Sequence, residues 1–203
     1  RLRKLRGPMN ATPSLLDELT DDEMGVLVSV AERAVRSAVL ERRTWWPDPA
    51  DVPANLRRPA AAFVTLRLHG NLRGCIGTFD AFEPLVMTVA SRARAAALRD
   101  PRFAPVMPDE VGALEVEVSV LGAPEPMHVR SFAELRTEVR PGVDGLVVTA
   151  GLHRATLLPA VWHDLPDVDE FLGALWRKAG LEREEWPRGI EVARYAARLW
   201  PPA

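Results

Sequence analysis

The alternation Leu114-Glu115-Val116-Glu117-Val118-Ser119-Val120-Leu121 constrains this chain more than any other stretch. Side chains along a strand point to opposite faces at each step, so Leu114, Val116, Val118 and Val120 make an apolar face while Glu115, Glu117 and Ser119 make a wet one. Such a strand belongs to an antiparallel sheet with one face on a core. A second signal agrees. Residues 62–68 alternate, His69-Gly70-Asn71 is turn chemistry, and residues 72–78 are expected to return beside them as a hairpin.

Helices are interleaved with these strands. Thr20-Asp21-Asp22-Glu23 is a capping box, after which Met24, Leu27, Val28, Ala31, Ala34, Val35, Ala38 and Val39 recur on one helical face opposite Glu32, Arg33, Arg36 and Arg43. Residues 83–98 read as a second helix with Leu85, Val86, Val89, Ala90 and Ala93 inward, ended by Pro101 and Pro105. Ser131 to Glu134 spells another capping box, opening a short helix to about Val139. Gly142 and Gly145 turn into a strand at 146–150, and a hairpin over Gly151 leads to 154–158. A helical piece with Val161 and Trp162 follows. Asp167 then caps a helix carrying Phe171, Leu172, Leu175 and Trp176, closed by Gly180, and 190–196 is the last expected strand. Hairpins and helices without regular strand-helix alternation predict an α+β fold: a mainly antiparallel sheet flanked by helices.

Charge and cysteine content narrow the function classes. With 26 Lys and Arg against 28 Asp and Glu, a formal charge of -2 argues against a nucleic-acid binder that works by neutralising phosphates. The basic opening Arg1-Leu2-Arg3-Lys4-Leu5-Arg6 is local, and residues 1–14 are read as a flexible end. A single cysteine forms no internal disulfide, which suits a reducing, cytoplasmic compartment. No apolar run approaches the roughly 18 residues of a membrane span, so no membrane partner is expected. Cys-x-x-Cys and His-Glu-x-x-His spacings are missing, as are phosphate-loop and dinucleotide fingerprints, so the residues name no metal and leave the cofactor unknown.

That cysteine, Cys75, sits between two glycines in Leu72-Arg73-Gly74-Cys75-Ile76-Gly77-Thr78-Phe79. The octet resembles the Leu-Arg-Gly-Cys-Ile-Gly signature of the AMMECR domain family, called AmmeMemoRadiSam system protein A in prokaryotes. The resemblance continues in order through Asp100-Pro101-Arg102-Phe103, Asp144-Gly145-Leu146-Val147-Val148, Thr156-Leu157-Leu158-Pro159 and Lys178-Ala179-Gly180-Leu181. It implies an AMMECR-type domain over 15–203, with a smaller α/β subdomain from a middle portion of the chain. It also implies association with a Memo-type protein and a radical S-adenosylmethionine protein. It names a system and not a reaction.

Two readings of Cys75 stand side by side. In one it is a reactive thiol, favoured as thiolate by Arg73, which two residues away on a strand lies on the same face. In the other it is a small buried hydrophobe. Gly74 and Gly77 likewise either let a ligand approach the backbone, with Gly74 the nearer, or mark a bulge or a tight helix contact. Arg154 could bind an anionic group through its fork of donors with Thr156 beside it, or the two are an ordinary ion pair and a strand hydroxyl. His69, His128, His153 and His163 are the available imidazole bases. Adjacent Trp45 and Trp46, in a loop with four prolines, are read first as pinning that loop and second as a patch for a partner. The functional choices are therefore a small-molecule enzyme or modifying factor centred on Cys75, or a non-catalytic binding or adaptor subunit that docks a partner through the 72–79 hairpin.

Overall fold

A computed structural model describes residues 14–201; the basic segment expected to be flexible lies outside the described residues but for Ser14. Thr20 caps helix α2 (Asp21–Leu40) with its hydroxyl on the Glu23 N–H while Glu23 reaches back to the Thr20 N–H. A four-residue helix, α1 (Leu15–Glu18), precedes it, opened by a smaller Ser14/Asp17 box. Helix α3 (Leu85–Leu98) starts two residues later than the spacing predicts, because Pro84 has no N–H and sits as its N-cap.

These helices cover one face of a sheet ordered β2-β1-β3-β8. β1 (Ala62–Leu68) and β2 (Asn71–Thr78) form the expected hairpin, with His69 and Gly70 both at positive φ in the turn. β3 (Leu114–Leu121) pairs antiparallel with β1, and β8 (Ala197–Trp200) pairs with β3 at the far edge. Val64, Leu66, Val116, Val118 and Val120 meet Met24, Leu27, Ala31, Val86, Val89 and Ala93 in the larger core. Full burial of each large aliphatic side chain there contributes about 1.5–3 kcal/mol.

The second sheet, ordered β4-β7-β5-β6, uses later residues: β4 (Glu125–Pro126), β5 (Gly145–Ala150), β6 (His153–Leu157) and β7 (Glu191–Tyr195). α4 (Phe132–Glu138) and α5 (Val168–Lys178) close its own core around Leu135, Leu146, Val148, Phe171, Leu172 and Trp176. The box expected at α4 is half formed: Ser131 accepts from the Glu134 N–H, but the Glu134 carboxylate reaches the Arg130 N–H instead. At the C-terminal end the chain continues past the expected last strand, leaving the second sheet at Ala196 and rejoining the first as β8. The observed fold is α+β, two antiparallel sheets each backed by helices.

One expectation about β3 is corrected. Glu115 is exposed and Glu117 half-buried, but Ser119 is buried. The remaining face of the first sheet is not wet along its length, because the second sheet packs on one end of it through Ala61, Leu121, Val147, Tyr195, Phe63 and Phe79. In the loop after α2, Trp45 packs on the core under the Arg33 guanidinium while Trp46 faces outward. Among the described residues no helix is long and apolar enough to cross a membrane.

Gly25 lies inside α2 with open space where a side chain would project. Gly25→Ala should therefore stabilise the protein by about 0.5–1 kcal/mol, by restricting the unfolded chain and favouring the helix. Urea unfolding measures this, and a destabilised variant would contradict it.

Candidate functional site

β2 is an edge strand, and its two faces serve different ends. Gly74 faces α3, where a Cβ would lie 2.3 Å from the Ala96 carbonyl oxygen. Cys75, the next residue, therefore points to the opposite face, toward the second sheet, and stays partly exposed. Thr65, its register partner on β1, donates its hydroxyl to Cys75 Sγ at 3.3 Å. Gly77 lies under the Phe63 ring, which a Cβ would strike at 2.1 Å. The hydrogens of both glycines are thus taken up by packing, Gly74 by helix over strand and Gly77 by an aromatic ring.

The outer edge of β2 is covered by the loop after α3. Asp100 is buried, and its carboxylate accepts from the Cys75 N–H at 2.8 Å, the Arg102 N–H at 3.1 Å, Arg102 Nε at 2.9 Å and Arg102 Nη2 at 2.7 Å. Arg102 Nη2 also donates to the Cys75 carbonyl at 3.3 Å. One acid and one base thereby satisfy both backbone groups of Cys75 that a neighbouring strand would otherwise take. The Arg102 guanidinium, aided by the two backbone N–H groups, holds the Asp100 carboxyl well below the usual carboxylate range against the opposing effect of burial.

Arg73 does not approach the thiol. A bulge between Leu66 and Arg67 skips it in the β1–β2 register, and its guanidinium binds Glu110 in bidentate fashion at 2.8 and 2.9 Å and the Ala104 and Pro105 carbonyls. The strand alternation that predicts a shared face fails at the extra residue. Arg73 ties down the 104–110 loop.

The second sheet and the end of α5 add further polar groups. Lys178, an exposed side chain, donates Nζ to the Thr156 carbonyl at 3.0 Å. Desolvation by the neighbouring protein lowers its ammonium from the ordinary value, and the Arg102 charge adds to that. The Thr156 hydroxyl lies 2.7 Å from both the Leu146 carbonyl and Tyr195 Oη, and Tyr195 Oη reaches the Leu157 carbonyl at 3.0 Å. Arg154 stands 3.8 Å from Asp80 and over the Phe79 ring. Of the expected residues, the fold leaves Cys75 partly exposed on β2, engages the Thr156 hydroxyl within the second sheet, sets Arg154 against the strip just after β2, and turns Arg73 and Gly74 away.

Asp100 and Arg102 at Cys75, and Lys178 at the Thr156 carbonyl, are not singled out by sequence spacing. Their signal was membership of Asp100-Pro101-Arg102-Phe103 and Lys178-Ala179-Gly180-Leu181, two stretches that carry the resemblance. No histidine is bonded to Sγ, whose one hydrogen bond among the described residues is to Thr65. Those residues also contain no cluster of three or more His, Cys, Asp or Glu side chains able to hold a metal ion.

The geometry describes an α+β protein of two antiparallel sheets whose only cysteine lies partly exposed on an edge strand, its backbone clamped by Asp100 and Arg102. The chain belongs to the AMMECR1 family, whose family model matches residues 28–200. It is 42% identical to a protein of Methanothermobacter thermautotrophicus over 80% of this chain and 85% of that one, and 38% identical to a protein of Thermofilum pendens over 91% and 92%. The crystal structure of an uncharacterized protein from Pyrococcus horikoshii superposes with a TM-score of 0.83 at 33% identity, covering 90% of this chain and 92% of that one.

Proposed function

We propose that Cys75 and its surroundings are the working centre and that the protein is a small-molecule enzyme or modifying factor using the Cys75 thiol as nucleophile. One observation carries this reading: Cys75 is partly exposed on an edge strand, its backbone N–H held by Asp100 and its carbonyl by Arg102. The thiolate is the form of a cysteine that attacks. In the reaction an S–C bond forms as the bond to the leaving group breaks, the leaving group takes the electron pair, and the thiol proton passes to water. Arg154 and Thr156 are assigned to binding the small molecule. The protein is taken to work in the cytoplasm, where a lone thiol stays reduced.

The test is the rate at which iodoacetamide labels the native protein near neutral pH, read by mass spectrometry. We expect labelling at Cys75 in the folded state, little changed in Arg73→Ala if that variant stays folded. Labelling confined to denaturant would remove the nucleophile.

A second reading draws on Phe82, which is 85% exposed just beyond β2. It makes the chain a binding or adaptor subunit that docks the Memo-type or radical S-adenosylmethionine protein through this end of the hairpin. Co-purification with either protein that is lost in Phe82→Ser while Cys75 labelling persists would favour it.

A further inference from the structure

β8 is an edge strand of the first sheet, and the parity of its hydrogen bonds fixes which groups it leaves over. The Gly122 N–H donates to the Ala196 carbonyl at 2.8 Å, directly opposite it in the β3–β8 register, and bonded pairs recur at every second residue of an antiparallel ladder. Arg198 and Trp200 therefore turn their backbone groups toward β3. Ala197 and Leu199 turn theirs outward, where no strand pairs with them among the described residues. A row of unpaired N–H and C=O groups is a template for another strand.

The helix layer leaves room for one. α3 lies over β1 and β2 and α2 over β3 and β8, so the flank of α2 away from α3 faces past that edge. Along this flank runs an open groove of about 610 Å³, with Gly25, Val26 and Val30 on α2 and Trp45 and Trp200 as walls. Val26, Trp45 and Trp200 are only half-buried, and a Cβ on Gly25 would meet nothing within 4 Å. The groove is also polarised, with Asp22 at one end and Arg33, stacked on Trp45, at the other. Their Cα atoms are about 16 Å apart along the helix. Residues i and i+4 of an extended segment are about 13 Å apart and share one face, so side chains of opposite charge there would reach both.

We propose that the β8 edge and this groove take an extended segment of a partner protein, added antiparallel as a fifth strand, with the pattern acidic-x-apolar-x-basic. Every pair in this sheet is antiparallel, and Arg198 binds Asp21, so β8 enters at the acidic end of the groove and the added strand finishes there. The apolar side chain lies beside Trp200, the acidic one at Arg33 and the basic one at Asp22. A second copy of this chain fits less well. Pairing two β8 strands through both Ala197 and Leu199 would set Arg198 opposite Arg198, like charge against like. This surface is separate from Cys75 and does not rest on the thiol reading.

The probe is the blocked peptide acetyl-Thr-Glu-Thr-Ile-Thr-Lys-Thr-amide, titrated into the full chain and followed by backbone amide chemical shifts. Shifts are expected at Ala197, Leu199 and Val26, with slowed hydrogen exchange at Ala197 and Leu199. Methylating the nitrogens of the two threonines beside the isoleucine, whose N–H groups would face β8, should weaken binding by about tenfold or more. Exchanging Glu and Lys in the peptide should weaken it by about fivefold, the size two exposed ion pairs supply, and the chain with Asp22→Lys and Arg33→Glu should reverse that preference. Should that variant not fold, the methylated and exchanged peptides on the unaltered chain still decide. No shift at Ala197 or Leu199 up to about 5 mM peptide would overturn the site. Equal binding of the methylated peptide would overturn strand addition, and equal binding of the exchanged peptide would overturn the charge pattern. Shifts of Ala197 and Leu199 with protein concentration alone would give the edge to a second copy and overturn the partner strand.

Discussion

Gly74→Ala is expected to destabilise the protein by about 3 kcal/mol or more, because the new Cβ would meet a backbone atom that cannot rotate away. It would lie 2.3 Å from the Ala96 oxygen and 3.1 Å from its carbon, so either α3 lifts from the sheet or β2 bends outward. For a chain of this length that cost corresponds to a melting temperature lower by about 6–12 °C. Movement of β2 would also carry the Cys75 N–H away from Asp100, coupling stability to the surroundings of the thiol. Gly25→Ala is the matched control, identical in chemistry and opposite in expected sign. A Gly74→Ala protein that melts with the parent would show that α3 does not pack this closely.

Asp100→Asn should cost about 2–3 kcal/mol at neutral pH, since it removes the charge that compensates Arg102 and weakens four hydrogen bonds. The figure stays modest because the Arg102 side chain is 53% exposed while that of Asp100 is 2% exposed, so water screens one partner of the pair. The pH dependence has a definite sign. The folded-state pKa of Asp100 is depressed, so its contribution is fully present above the unfolded value of about 3.9 and is lost as pH falls through the folded one. Urea midpoints of parent and Asp100→Asn should accordingly differ most at pH 7 and converge below pH 4. A gap that persists unchanged into acid would contradict the ion pair as its source. In the variant, iodoacetamide labelling of Cys75 should also change, because the backbone clamp is loosened.

Much of the secondary structure is legible in local chemistry. The Thr20 box, the His69-Gly70 turn and the alternation from Leu114 to Val120 each act over one turn of helix or a few strand residues, and each formed where its residues are. Three things resist such reading. Ser119 is buried because another sheet lies on it. β8 forms because Ala197 to Trp200 finds a free edge on β3, although four residues carry too short a pattern to announce a strand. Arg73 misses Cys75 because one bulged residue breaks the parity on which a shared face depends.

The candidate site divides along the same line. From the sequence by itself came the cysteine between two glycines, its place on a hairpin strand, and the resemblance that marks residues 100–103 and 178–181 as stretches of interest. Only the tertiary structure decided that Asp100 and Arg102 close on Cys75, that Arg73 belongs to a loop tie, and that the glycines serve packing. The reason is one of range. Turn, cap and alternation preferences act between residues a few positions apart, whereas Cys75 meets Asp100 across 25 residues of chain and Phe79 meets Tyr195 from the other sheet.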